Sequence, residues 1–165
     1  MAAVYHICGH ERLTFPCLGG TDKGEGQMHK VFTIETQGPG LYEITREVEG
    51  FVAASRAEEA LLTLFVRHTS ASLAIQENAD PDVRTDLAAF FHRLVPPSDD
   101  PAMGYIRHTS EGPDDMPAHI KAALLPVSLT IPIISGRMML GTWQGIYLFE
   151  HRSSRHRREI VAVAR

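Results

Sequence analysis

The sequence lacks any apolar run long enough to cross a bilayer, and it lacks the pattern of a secretion signal. The apolar run from Leu61 to Val66 contains Thr63 and ends at Arg67, far short of the roughly 18 residues that a spanning helix needs. The N-terminus, Met-Ala-Ala-Val-Tyr-His, has no basic stretch followed by a long apolar one. These absences predict no membrane contact and a cytoplasmic location.

Cysteine is scarce, and an excess of positive charge is missing. We expect Cys8 and Cys17, the two cysteines, to be reduced thiols rather than a disulfide or a metal pair. A net charge of −4 argues against a nucleic-acid partner, which usually requires a wide basic face. A local basic cluster could attract a phosphate or form a solvated turn; it comprises His151, Arg152, Arg155, His156, Arg157 and Arg158.

What is present is an ordinary globular balance, with 44% hydrophobic and 22% charged residues in a chain of 165. That balance fits one domain over residues 30–165, after a glycine-containing, irregular lead-in over residues 1–29. β-prone segments cover residues 31–36, 61–66, 128–134, 138–149 and 159–163. Because they do not alternate regularly with helices, the sequence predicts an α+β fold with a mainly antiparallel sheet or sandwich.

About three helices are predicted from caps and apolar spacing. Thr45 is a plausible cap for the first, and Asp80 followed by Pro81 begins the second. The third is predicted to start at Pro117, capped by Asp115. It follows a long polar loop over residues 98–116, and long ordered loops are often functional.

Two histidine-containing segments could form a site. Strand alternation places His68, Ser70 and Ser72 on one polar face, which could line a site, face solvent or meet another subunit. His108 in the long loop and His119 in the predicted first helical turn could ligate a metal or hydrogen-bond structurally. The same helix start could receive an anion if a cation offset the nearby aspartates.

A third segment surrounds the single tryptophan. If residues 138–149 form one strand, Gly141 and Gly145 flank Trp143 on one face, while Thr142 and Gln144 point the other way. Glycines in such positions allow close approach by a ligand or a neighbouring backbone. Trp143 could accordingly be a core anchor or a stacking surface.

Four stretches in order resemble the YjbQ-like family, associated with secondary thiamine-phosphate synthase activity: HTSASLAIQENADPDVR, YIRHTSEGPDDMPAHIKAALL, SLTIPIISGR and LGTWQGIYLFE. The resemblance runs from about His29 to the C-terminus. It implies a homotrimer with a polar pocket near subunit contacts that holds ions or anions. It also implies a weak activity that joins a pyrimidine pyrophosphate to a thiazole phosphate.

The resemblance also implies site residues. Those with catalytic roles would be His68, His108, His119 and Glu150, and those that bind substrate would be Ser70, Asn78, Arg137, Thr142, Trp143 and Gln144. The sequence departs from the family pattern at two places, which affects the roles that can be assigned by resemblance. Pro126 stands where a glycine is usual, and the basic stretch over residues 151–158 replaces a glycine-containing end, which puts phosphate binding there in doubt.

Two functions from different classes follow, and a phosphate or ester hydrolase stays a third. In a transferase, Mg²⁺ would bridge the pyrophosphate and Glu77, Asp80 or Asp82, while the histidines donate protons or hydrogen bonds. In a trimeric binding module of unknown physiological role, His108 and His119 would hold Zn²⁺ or another transition metal. The partner in either case is a small phosphorylated molecule or another anion.

Overall fold

The described part of the chain folds into two antiparallel sheets with three α-helices packed against them. The structure, a computed structural model, describes residues 28–165, so the predictions for Cys8, Cys17 and most of the lead-in fall outside it. The described strands are β1 (Met28–Thr36), β2 (Gly40–Glu43), β3 (Glu59–Val66), β4 (Ala71–Glu77), β5 (Ser128–Ile134), β6 (Arg137–Met138), β7 (Gln144–Glu150) and β8 (His156–Ala164). The helices are α1 (Thr45–Ser55), α2 (Pro81–Leu94), α3 (Asp115–Leu124) and a 3₁₀ turn at Pro101–Met103.

Five strands form one sheet in the order β1-β8-β3-β5-β6, and three form the other in the order β2-β7-β4. Every strand pair is antiparallel. The predicted α+β class with a mainly antiparallel sandwich and three helices is therefore confirmed. No helix within residues 28–165 is long and apolar enough to cross a membrane.

The hydrophobic core lies between the two sheets, and α1 contributes one side of it. Leu62 and Leu64 of β3 meet Ile146 and Leu148 of β7 in one buried cluster, together with Phe51 of α1. The opposite face of β7 is covered by α2, whose Phe91 ring lies edge-on to Phe149 with 5.6 Å between centroids. Both faces of β7 are thus buried within the chain itself, which fixes the strand end that carries Glu150.

The outer face of the five-stranded sheet carries several large apolar side chains that no other part of residues 28–165 covers fully. The nearly continuous apolar run from Leu61 to Val66 predicts a strand that is central in a sheet and buried on both faces. The central position is confirmed, because β3 lies between β8 and β5, but burial on both faces is wrong. The residues of β3 alternate, and the outward side chains of the sheet include Val31, Leu61, Phe65 and Ile134, between 46% and 52% exposed.

Several element boundaries differ from expectation. α1 begins at Thr45 with Ile44 as its cap, because the Thr45 hydroxyl instead donates to Glu43 and accepts from the Ile146 amide, at 2.9 Å each. α3 begins at Asp115, two residues early, which puts His119 one turn into the helix. The segment 138–149 is not one strand, because residues 139–143 form a loop between β6 and β7.

Candidate functional site

Two histidines and one aspartate meet at the start of α3. His108 approaches from the preceding loop, and its Nε2 lies 2.8 Å from Asp115 Oδ2. His119 follows Asp115 by four residues on the same helix face, and its Nε2 lies 3.4 Å from the same oxygen. One ligand atom from each of the three lies within 4.8 Å of the others. The sequence prediction paired His108 with His119, and the structure brings them together around a carboxylate.

A buried ion pair fixes the orientation of Asp115. The side chain is 2% exposed, and its second oxygen, Oδ1, accepts a hydrogen bond from Arg152 Nη1. Arg152 Nε also donates to Asp114 at 2.9 Å. Burial alone would raise the pKa of Asp114, but hydrogen bonds from the Ser153 backbone and from Arg152 outweigh it and lower that pKa to about 2. Arg152 of the basic stretch is therefore a positioning residue, since it holds the carboxylate with Oδ2 towards the histidines.

The hydrogen bond at the far side of His119 sets its tautomer. Nδ1 lies 3.0 Å from the carbonyl oxygen of Thr69, which can only accept, so Nδ1 carries the proton. In the neutral ring, Nε2 then presents a lone pair towards the carboxylate oxygen of Asp115. Two acceptors facing each other repel unless a cation or a proton lies between them. A ring N–H bonded to a backbone carbonyl is also the usual support of a metal-binding histidine.

A cleft of about 830 Å³ adjoins this cluster, and His119, His68 and Ser70 all line it. The backbone amide of Glu159 donates to His68 Nε2 at 2.8 Å, so the neutral ring carries its proton on Nδ1. Burial, and then the nearby Arg158 charge, lower the pKa of His68 below its ordinary value. His68 is consequently a neutral hydrogen-bond donor at physiological pH rather than a cation.

A second cleft, of about 500 Å³, collects other predicted substrate-binding residues. Asn78 after β4, Arg137 of β6, Thr142 of the following loop and Gln144 at the start of β7 line it together. Gln144 accepts a hydrogen bond from the Gly141 amide at 2.7 Å, which closes that loop. Trp143 lies at the loop tip and is 64% exposed, so in the single chain it is not a core anchor.

Glu150 lines neither of these two clefts. Its side chain is 0% exposed and forms a bidentate pair with Arg158, with Nη2–Oε1 at 2.5 Å and Nε–Oε2 at 2.7 Å. The neighbouring His151 is also buried, with Nε2 2.9 Å from Ser72 Oγ. Burial first, and then the charge of Lys121, lower the pKa of His151 to about 3, so it is neutral.

The three proposed magnesium carboxylates lie apart from the histidine cluster. Glu77 ends β4, Asp80 caps α2 by accepting from the Asp82 amide at 2.9 Å, and Asp82 is in the first turn. None of them belongs to a group of three metal-donor side chains within residues 28–165, where His108, Asp115 and His119 form the one such group. The donor set that the fold assembles therefore contains two imidazoles and one carboxylate.

The family model described as UPF0047 protein YjbQ-like matches residues 30–165. The chain belongs to this family. It is 52% identical over 135 residues to UPF0047 protein sll1880 of Synechocystis, covering 82% of this chain and 89% of that protein. It is 43% identical to UPF0047 protein YjbQ of Escherichia coli O157:H7, covering 81% and 94%. None of these names states an activity, so the chemistry must be argued from the site.

Solved structures support the same YjbQ-like fold. A YjbQ/UPF0047 protein of Clostridium acetobutylicum matches with a TM-score of 0.71 and 32% identity, over 81% of this chain and 98% of that one. Hypothetical protein APE1520 of Aeropyrum pernix K1 matches with a TM-score of 0.75 and 26% identity, over 84% and 98%. The three-helix, antiparallel architecture is thus shared by the relatives.

Proposed function

We propose that this YjbQ-like protein binds a divalent transition metal through His108, Asp115 and His119 and presents it to a small phosphorylated compound in the adjoining cleft. The observation that carries the proposal is the tautomer of His119. With Nδ1–H held by the Thr69 carbonyl, Nε2 faces Asp115 Oδ2 at 3.4 Å, an arrangement that a cation stabilises.

The donor set favours zinc or a neighbouring transition metal over magnesium. Mg²⁺ prefers an octahedron of oxygens and binds through carboxylates and water, whereas imidazole suits Zn²⁺, Ni²⁺ and Cu²⁺. Two histidines and one carboxylate are also the protein ligands of several catalytic zinc sites, which leave one position open. A metal held here would have its open position available to a ligand, because His108 and His119 are not buried.

The cleft supplies groups suited to a phosphate ester. His68 offers an N–H, Arg67 lies at its edge, and the metal would add positive charge where His119 lines the wall. In the synthase reaction that we propose as the enzymatic activity, the thiazole nitrogen forms a bond to the pyrimidine methylene carbon. The bond from that carbon to the pyrophosphate oxygen breaks, and His68 would hydrogen-bond to the departing pyrophosphate.

A trimeric assembly is part of the proposal. Val31, Leu61, Phe65 and Ile134 form an apolar face that is about half exposed in the single chain, and a second copy would cover it. The clefts that contain His68 and Asn78 are separate within one chain. Association is therefore also the means by which the two sets of predicted site residues could act together.

Metal analysis of the purified protein tests the metal assignment. We expect about one Zn²⁺, Ni²⁺ or Cu²⁺ per chain, and we expect His119→Ala to weaken Zn²⁺ binding by at least about 100-fold. The metal-free variant should lose about 1 kcal/mol or less of stability, as is usual for changes outside a packed core. His92→Ala, an exposed histidine on α2, is the matched control and should keep wild-type affinity.

Two results would overturn the metal assignment. One is wild-type protein that binds none of these metals at stoichiometric level when titrated by calorimetry. The other is a large fall in the melting temperature of metal-free His119→Ala, which would show that the histidine is structural.

A further inference from the structure

A second cavity lies on the other side of α3 from the metal donors. Successive helical residues turn by about 100°, so Lys121 projects roughly opposite to His119. His119 lines the 830 Å³ cleft, whereas Lys121 lines a separate pocket of about 460 Å³. The pocket is thus distinct from the site proposed above, and nothing in the proposed reaction uses it.

The pocket has the size and lining of a small-molecule site. Its volume falls within the roughly 300–1,000 Å³ that is usual for ligand pockets. Apolar walls come from α2, α3 and β7, and they include Ala88, Phe91, Pro117 and Phe149. The other lining residues include Pro39, Ala89, His92 and Ser153, which are exposed, so the pocket reaches solvent.

Two polar side chains in this lining have an unused hydrogen-bonding or charged group among residues 28–165. Lys121 is 9% exposed and forms no ion pair within 4.0 Å in the described part of the chain. His151 is 3% exposed, and its Nδ1 has no hydrogen-bond partner among residues 28–165. Buried polar atoms are almost always paired, so the unpaired Nδ1 of His151 requires an explanation.

The acids that line the same pocket do not supply the missing partner. Asp114 Oδ2 is occupied by Arg152 and by the backbone and hydroxyl of Ser153, at 2.8 to 2.9 Å. Both oxygens of Glu150 are occupied by Arg158. Burial lowers the pKa of Lys121, and Asp114 is near enough to raise it in part electrostatically, but no acid among residues 28–165 forms an ion pair with the Lys121 ammonium within 4.0 Å. The ammonium is therefore open to a further anionic partner in a cavity whose walls are mostly apolar.

We propose that this pocket binds a small monocarboxylate with an aromatic or branched apolar body. The carboxylate pairs with the Lys121 ammonium and accepts a hydrogen bond from His151 Nδ1, while the body lies against Phe91 and Phe149. That bond is available because the Ser72 hydroxyl can donate to Nε2. One buried cation matches one negative charge, whereas a phosphate dianion would leave charge uncompensated among apolar walls.

Calorimetry with 2-naphthoate and its neutral analogue 2-naphthalenemethanol tests this site. The protein is used metal-free, in the presence of a chelator, so that the carboxylate cannot bind a metal at His119. We expect wild type to prefer 2-naphthoate by about tenfold or more, since the charged hydrogen bond is made only by the acid. Lys121→Met should bind both compounds equally, and Lys30→Met, an exposed lysine on β1, should keep the preference.

A second variant keeps the test independent of the lysine. Ala88→Leu narrows the pocket and should weaken the binding of both compounds. Far-ultraviolet circular dichroism is used to check that each variant is folded. Absence of 2-naphthoate binding by wild type, or an undiminished preference in Lys121→Met, would overturn the proposal. If His119→Ala still binds 2-naphthoate, the binding pocket is separate from the metal site. If His119→Ala no longer binds 2-naphthoate, the proposed separate location is wrong.

Discussion

Replacing Arg158 by methionine tests the buried ion pair that joins β7 to β8. Glu150 is 0% exposed and Arg158 is 3% exposed. The carboxylate accepts two hydrogen bonds from the guanidinium, one from the Thr36 hydroxyl at 2.8 Å, and one from each of the His151 and Arg152 amides at 3.0 Å. Arg158→Met would remove the two charged hydrogen bonds from the guanidinium and leave the carboxylate buried.

The expected destabilisation at pH 7 is about 3–5 kcal/mol. Hydrogen bonds to charged groups contribute about 1.5–3 kcal/mol each, and removing one partner of a buried pair typically costs about 3–5 kcal/mol. Urea unfolding measures the change. The matched control is Arg157→Met, where an exposed guanidinium lies 3.9 Å from Glu35, and it should change stability by less than about 0.5 kcal/mol.

The pH dependence gives a second, independent readout. Burial alone would raise the pKa of Glu150, but hydrogen bonds from Arg158, the Arg152 amide and Thr36 outweigh it and lower the pKa below the ordinary 4.5. The ionised Glu150 carboxylate therefore contributes its full stabilisation of the native protein above pH 4.5, and this stabilisation is lost as the pH falls through the lowered pKa. In Arg158→Met the buried carboxylate can protonate more readily. The loss in free energy of unfolding of this variant relative to wild type should therefore shrink between pH 7 and pH 4.

Glu150→Gln separates this structural role from the catalytic role that the family resemblance implies. In the Arg158→Met background it removes the unpaired charge and should recover part of the lost stability. A loss below about 1 kcal/mol for Arg158→Met, or a deficit that does not shrink at low pH, would refute the reasoning.

Two further predictions concern assembly and chemistry. Light scattering at micromolar concentration should give three times 18.3 kDa, and Phe65→Glu should give monomer; monomeric wild type would contradict the trimer. With pyrimidine pyrophosphate, thiazole phosphate and a divalent metal, the protein should form thiamine phosphate slowly, and His68→Ala and His108→Ala should each lose at least about 10²-fold in rate. Wild-type rates in both variants would assign the activity to a contaminant or another site and favour the binding-module function.

Local sequence signals predicted the fold where one physical effect dominates. Asp80 before Pro81 predicts the start of α2. Ser135-Gly136, between two β-prone segments, predicts a turn, and both residues have positive φ in the structure. The segment around Trp143 was less accessible to such reasoning. Its β-prone residues fitted a continuous strand, but the Gly141–Gln144 hydrogen bond closes a loop there, and side chain to backbone bonds of this kind follow no simple periodicity.

Long-range ion pairs explain most of what the sequence did not reveal. Arg152 and Arg158 belong to a basic stretch that could equally have been a solvated turn. Arg152 is 37 residues from Asp115, so only the folded chain shows that it is a structural partner. The same limit applies to Lys121 and His151, because only the folded chain brings these two residues into the lining of one pocket.

Asp115 is the site residue that sequence reasoning could have found. It was assigned as the cap of a helix starting at Pro117, which gave its side chain a role at the backbone. The alternative signal was its spacing of four residues from His119, which places a carboxylate and an imidazole on one helical face once the helix starts two residues earlier. A cap residue lies outside that periodicity, so an error of two residues in a helix boundary was enough to hide the third donor of the cluster.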